Sequence, residues 1–247
     1  MRQRHLLAGV AIAATVFLVA CGNDSTAPTT TVNNNAVALF VNDTFVDYRV
    51  DATGSEAWNM DSALVAFGMN VHLFTDRSAA GINAAVSGRR YLVLPEQENS
   101  CMSDSLTTNA KDAIKAFVTG GGILIVGEDY CDSAPDQLLV NAIFGYAVVR
   151  GPGSGPYTMT ANAAGTVFAA LPGSLPVANG LDDYTLASLP AAAKSFFDDG
   201  TNTALYYIPI GTGAFIQLGP DYYDTAPYGA QDSGWKAALA AATNFRP

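Results

Sequence analysis

Two kinds of side chain in this sequence could do chemistry: a few thiols and many carboxylates. The chain has 247 residues with 3 cysteines, 2 histidines and 22 Asp plus Glu. Cys131 lies near the end of the stretch "GGGILIVGEDYCDS" (residues 120–133), an apolar run leaving a glycine turn and ending in a polar loop. A nucleophile of an α/β enzyme could stand there. Sulfur or hydroxyl chemistry also needs a base within hydrogen-bond reach of the nucleophile. His5 belongs to the extreme N-terminus, and His72 sits inside "NVHLFTD", ahead of every candidate nucleophile, where a satisfied strand histidine is expected. No Ser-His-Asp or Cys-His pair can be assembled.

The carboxylates offer more. Asn42, Asp43, Glu96, Gln97 and Glu98 fall where a first and a third strand should end, with Glu128, Asp129 and Asp132 beyond a fourth. Asp221 and Asp224 can join them from a late hairpin. Such a rim suits a hard cation such as calcium, although no ordered Asp-x-Asp-x-Asp spacing is present. The competing reading is a solvated acidic rim. A catalytic pair of Glu96 and Glu128 would act like a glycosidase only at a set carboxyl separation.

The elements that must position these residues are legible in the hydrophobic pattern. "AVALFVND" (36–43), "NVHLFTD" (70–76), "RRYLVLPEQE" (89–98) and "ILIV" (123–126) read as strands. Between them, 58–67, 78–87 and 107–118 carry helical periodicity and end near glycines. Strands and helices alternating at this spacing predict an α/β fold with a doubly wound, mainly parallel, flavodoxin-like sheet. A further helix is expected over 134–144. The glycines and prolines of "VVRGPGSGPY" (148–157) mark an excursion. Polar, alanine-rich sequence then runs to a C-terminal β-hairpin over 204–224 that extends the sheet, with a closing helix at 235–242. The late aromatics Tyr206, Tyr207, Phe215, Tyr222, Tyr223, Tyr228 and Trp235 read mostly as packing, with sugar stacking as the alternative.

The segments "VALFVND", "YLVLPEQE", "AIKAFVTGGGILIVGEDY" and "GTGAFIQLGPDYYD" resemble the class I glutamine amidotransferase-like superfamily in its broad, non-enzymatic sense. Trehalose-utilisation-like proteins and the middle domains of some β-galactosidases are relatives of this kind, and the resemblance implies a flavodoxin-like sheet. Catalytic members carry a Gly-x-Cys-x-Gly elbow and a downstream His-x-Glu. Here "VGEDYCDSA" lacks the elbow glycines, so the resemblance implies a domain without that nucleophile.

Arg2 and Arg4 precede an apolar run from Leu6 to Ala20, which reads as an export signal over residues 1–20. "LVAC" (18–21) resembles the lipobox of bacterial lipoproteins, implying lipidation of Cys21 and a chain exported and lipid-anchored to the bacterial cell envelope. Residues 21–35 read as a flexible tether, leaving 36–247 as the folded domain. Two thiols then remain, Cys101 and Cys131, each a few residues past a strand end. They are expected to form a disulfide, which counting free thiols under denaturing conditions tests: two titratable thiols before reduction would exclude it.

The formal net charge of −10 becomes −12 once residues 1–20, with Arg2 and Arg4, are gone. An acidic surface repels phosphate backbones, so nucleic acid is not an expected partner. The reading that follows is a non-catalytic binding or interaction domain, for a carbohydrate or an envelope protein. Its competitor is a carboxylate- or metal-dependent hydrolase acting at the rim.

Overall fold

The computed structural model describes residues 32–128, 138–153, 155–178, 180–223 and 234–247. The first half alternates as its pattern predicts. Strands β1 (Asn33–Phe40), β2 (Asn70–Phe74), β3 (Arg89–Leu94) and β4 (Ile123–Val126) are separated by helices α1 (Glu56–Ala66), α2 (Ala79–Val86), α3 (Met102–Ser105) and α4 (Thr108–Thr119). β4 is buried along its whole length, and β3 from Tyr91 onward, which is why both read as unbroken apolar runs. Ser78 and Thr107, read as first helical residues, are N-caps instead. Their side chains accept hydrogen bonds from the backbone N–H of Gly81 and Ala110 and so fix where α2 and α4 begin.

Helix α5 (Leu139–Phe144) follows, then β5 (Tyr157–Met159), β6 (Ser174–Leu175), β7 (Tyr184–Thr185), β8 (Lys194–Asp198), β9 (Asn202–Ile210), β10 (Gly213–Leu218) and α6 (Trp235–Ala242). The strand order is β2-β1-β3-β4-β10-β9-β8-β5-β6, with β7 paired to β9. Neighbours from β2 to β10 run parallel, and those from β10 to β6 run antiparallel. The late hairpin is therefore β9 and β10, and it extends the first sheet. The result is a mixed α/β fold with a mostly parallel central sheet.

Close packing places β10. A Cβ on Gly213 would lie 2.1 Å from the Gly122 carbonyl oxygen and 2.2 Å from that of Val118. Only glycine lets the hairpin enter beside β4. Ala214 to Gln217 then stand opposite Ile123 to Val126 in register, so the chain leaving β10 emerges next to the chain leaving β4.

Alternation along β1 divides the interior in two. Val37 and Leu39 pack with Met60 and Leu64 of α1 and with Trp235 and Leu239 of α6. Ala38 and Phe40 pack with Ile82 of α2, Ile114 of α4 and Ile143 of α5. The rigid sheet between these cores sets the positions of every strand exit used below.

Two details depart from the pattern. β1 starts at Asn33, three residues before the expected start of the folded part, because Asn33 pairs with Arg89 through backbone groups that need no apolar side chain. The polar stretch after residue 157 holds four short strands, β5 to β8, where only connecting sequence was expected. Strands of 2 to 5 residues show no readable alternation.

Candidate functional site: a buried carboxylate cluster

Three adjacent parallel strands, β3, β4 and β10, each deliver one carboxylate to the same place. Glu96 lies two residues beyond β3, Glu128 two beyond β4 and Asp221 three beyond β10. One oxygen from each lies within 4.8 Å of the others. All three are buried, Glu96 and Glu128 at 4% exposure and Asp221 at 8%.

The local sequence explains the convergence. Gly127 lets the exits of β3 and β4 approach, since a Cβ there would sit 3.2 Å from the backbone nitrogen of Glu96. Gln217 of β10 donates to the Gly127 carbonyl and ties the β4 exit to the hairpin. On the third exit, Asn59 of α1 donates to the carbonyls of Tyr222 and Tyr223, both at 2.9 Å. Asp221 is turned inward by accepting the Tyr223 N–H at 2.8 Å. One helix side chain thus holds the loop that presents Asp221.

Arg150 brings positive charge to this cluster. Its Nη2 donates to Glu128 Oε1 at 3.2 Å and to Asp182 Oδ1. Asp182 is buried and is fixed by its own N–H to the Gly219 carbonyl. Its neighbour Asp183 has a structural role, accepting from the Gly153 N–H and from the Tyr157 hydroxyl, each at 2.9 Å. Beside Arg150 opens a cleft of about 460 Å³ lined by Gly151, Pro152, Gly153, Leu181 and Asp182.

Packing acids together out of water favours their neutral forms. Burial, with Asp221, Glu56 and Glu98 adding repulsion, pushes Glu96 up to about 10. Burial also pushes Glu128 up to about 10, helped by Glu96 and Asp221 and opposed by Arg150. Glu56, in the first turn of α1, is pushed up to about 8 mainly by burial. Glu56 Oε2, Glu96 Oε2, Glu128 Oε2 and Asp182 Oδ2 are buried without a hydrogen-bond partner among the described residues.

Of the rim residues expected from sequence, Glu96 and Glu128 meet, and Asp221 joins them. Asn42 instead organises the turn after β1, donating to the Thr75 carbonyl and accepting the Thr44 N–H. Asp43 and Glu98 are exposed and line a separate cleft of about 460 Å³ with Asp47, Arg49 and Asn99. Gln97 is buried and holds the β3 exit through the Pro95 carbonyl and the Met102 N–H. Asp129, Asp132 and Asp224 lie outside the described residues, as do Cys21 and Cys131. Cys101 is the half-buried N-cap of α3, and its expected disulfide partner, Cys131, lies outside the described residues. His72 lies in a strand as expected, exposed on the edge strand β2. Tyr206, Tyr207, Phe215, Tyr222 and Trp235 are buried packing residues, Tyr223 is exposed, and Tyr228 lies outside the described residues.

Sequence reasoning missed Arg150, Asp182 and Glu56. Arg150 sits in a glycine- and proline-rich excursion and Asp182 before a two-residue strand, and neither context signals a site. Glu56 stands just before the stretch expected to be helical (58–67), where nothing in the pattern signals a site.

No protein-family model matches the chain, and no curated protein resembles it in sequence. Solved structures do resemble it. A ThuA-like protein of Bacteroides uniformis superposes with a TM-score of 0.54 at 10% identity, over 87% of this chain and 93% of that one. Two cytoplasmic proteins of Salmonella typhimurium superpose with TM-scores of 0.56 and 0.54, each at 12% identity. The first match covers 85% of this chain and 98% of the other, the second 86% and 100%. The fold is shared with ThuA-like proteins. At such identities the likeness shows the fold alone. The expected placement at the cell envelope is corrected by this comparison, because two of these neighbours are cytoplasmic proteins. Among the described residues no helix is long and apolar enough to cross a membrane.

Proposed function

We propose that this protein is a binding domain for a small hydroxylated ligand of mono- or disaccharide size, held at the C-terminal rim of the parallel strands without covalent catalysis. The supporting observation is the cleft of about 460 Å³ at Arg150 and Asp182, which adjoins the buried carboxylate cluster. In open α/β sheets, ligands bind beyond the carboxyl ends of the strands. The cleft offers guanidinium donors and carboxylate acceptors, a pairing suited to hydroxyl groups. Isothermal titration of a panel of mono- and disaccharides, in buffer containing EDTA, tests this reading. Saturable heat without turnover, weakened at least tenfold by Arg150→Met, is expected. No heat from any sugar would exclude it.

A second reading rests on the protonated carboxyls. Glu96 and Glu128, pushed up to about 10, hold protons at neutral pH and could serve as general acids in a hydrolase. Product formation abolished by Glu96→Gln or Glu128→Gln would favour it over simple binding.

A further inference from the structure

We propose that Glu96, Glu128 and Asp221 form a binding site for one hard divalent cation of the calcium type. A cluster of acids alone would not carry this. Three further observations do.

First, oxygens that need a partner lie inside the cluster. Glu96 Oε2 and Glu128 Oε2 are shielded from water and have no hydrogen-bond partner among the described residues. Buried acceptors left unsatisfied are costly, and a proton on either oxygen would itself require an acceptor. A cation satisfies both at once.

Second, the space is specific. Gly180 adopts φ +61°, and a Cβ there would lie 2.0 Å from Asp221 Oδ2 and 3.1 Å from Glu128 Oε2. Two carboxylate oxygens from different strand exits therefore crowd around one small volume that only glycine leaves open. Calcium takes oxygens at about 2.3–2.6 Å, so oxygens on opposite sides of the ion stand about 4.6–5.2 Å apart. The spread of one oxygen from each residue, within 4.8 Å, falls inside that diameter.

Third, the chemistry of the set selects the ion class. All three ligands are carboxylates, with no imidazole or thiolate among them, which favours calcium, magnesium or manganese over zinc or copper. Arg150 is shared between Glu128 and Asp182, so one guanidinium offsets at most one of these charges. The ligands also come from the exits of three neighbouring strands of one sheet rather than from a single loop, so the strand register fixes where each exit begins.

Titrating the EDTA-treated, dialysed protein with CaCl2, and in parallel with MgCl2 and MnCl2, tests the proposal calorimetrically and by thermal melting. The expected result is a one-site isotherm for at least one of these ions and a melting temperature several degrees higher in its presence. Glu128→Gln should weaken that binding at least tenfold, whereas Asp112→Asn, on the exposed face of α4, should not change it. The triple variant Glu96→Gln/Glu128→Gln/Asp221→Asn loses three crowded acids, so it should melt no lower than the metal-free parent yet gain nothing from the ion. Should it fail to fold, Glu96→Gln alone gives the same readout. Absence of saturable heat and of any melting shift up to about 10 mM of all three salts, beyond even weak calcium modules, would overturn the proposal. So would binding retained by the triple variant. Because the sugar titration is run in EDTA, either idea can fail while the other stands.

Discussion

Replacing Arg150 with methionine is expected to lower the melting temperature by roughly 10 °C, one of the largest single-residue effects anticipated in this protein. Asp182, at 2% side-chain exposure, meets the Arg150 guanidinium in a protein interior that offers little solvation. Removing one partner of a buried ion pair strands the other and typically costs about 3–5 kcal/mol. In a domain of this size each kcal/mol corresponds to about 2–4 °C. Glu128 adds less, because its carboxyl is already held neutral near pH 7 by burial and by its acidic neighbours, leaving a hydrogen bond rather than a full ion pair. Thermal melting of Arg150→Met, Asp182→Asn and the double variant closes the test. The double variant should recover much of the loss, giving a coupling of at least about 1 kcal/mol in the cycle. Additive losses would mean that the pair is not the unit the geometry describes.

The second large effect is a dependence on pH opposite to that of ordinary salt-bridged acids. Glu96 and Glu128 are pushed up to about 10 and Glu56 to about 8, against an ordinary value of 4.5 in the unfolded chain. A raised carboxyl pKa contributes stability that is complete below the unfolded value and is lost as pH rises through the folded one. The metal-free protein should therefore lose stability from about pH 5 upward, most steeply up to about pH 8, where all three carboxyls are protonated only in the folded state, and less steeply from there to about pH 10 as Glu56 and then the Glu96 and Glu128 pair ionise in the fold as well. A drop of at least about 5 °C between pH 6 and pH 9 is expected, since about 2 kcal/mol already corresponds to about 4–8 °C. Glu96→Gln/Glu128→Gln should flatten that slope and melt higher than the parent at pH 9. A parent protein whose melting temperature rises across the same range would show that these carboxyls are not buried together.

Much of this arrangement was legible in the chain. The apolar runs that became β1 to β4, the glycine before β10 and the closing helix all follow from periodicity and turn residues, and they place Glu96 and Glu128 at neighbouring strand ends. The convergence with Asp221 was only half legible, because it depends on β10 lying beside β4. That placement comes from the close fit at Gly213 and from the Asn59 clamp, both long-range contacts without a local pattern. Arg150 and Asp182 were invisible for a related reason: they meet the cluster through an irregular loop and a two-residue strand, where no period exists to read. Asp43 and Glu98 erred the other way. Each follows a strand closely enough to suggest the site, yet the turn built by Asn42 and the course of the chain past the buried Gln97 leave both in solvent. The tyrosines suggested sugar stacking by type alone, whereas successive residues of β9 and β10 are buried on both faces of the sheet, so most of them are core.

The account depends on Glu96 and Glu128 facing each other out of water. Carbon-13 NMR of their side-chain carboxyls, followed across a pH titration of metal-free protein and assigned with the two Gln variants, measures this directly. Titration of the pair well above pH 7 is the predicted result. Two independent carboxyls titrating between about 4 and 5, the range of solvated glutamates, would contradict it.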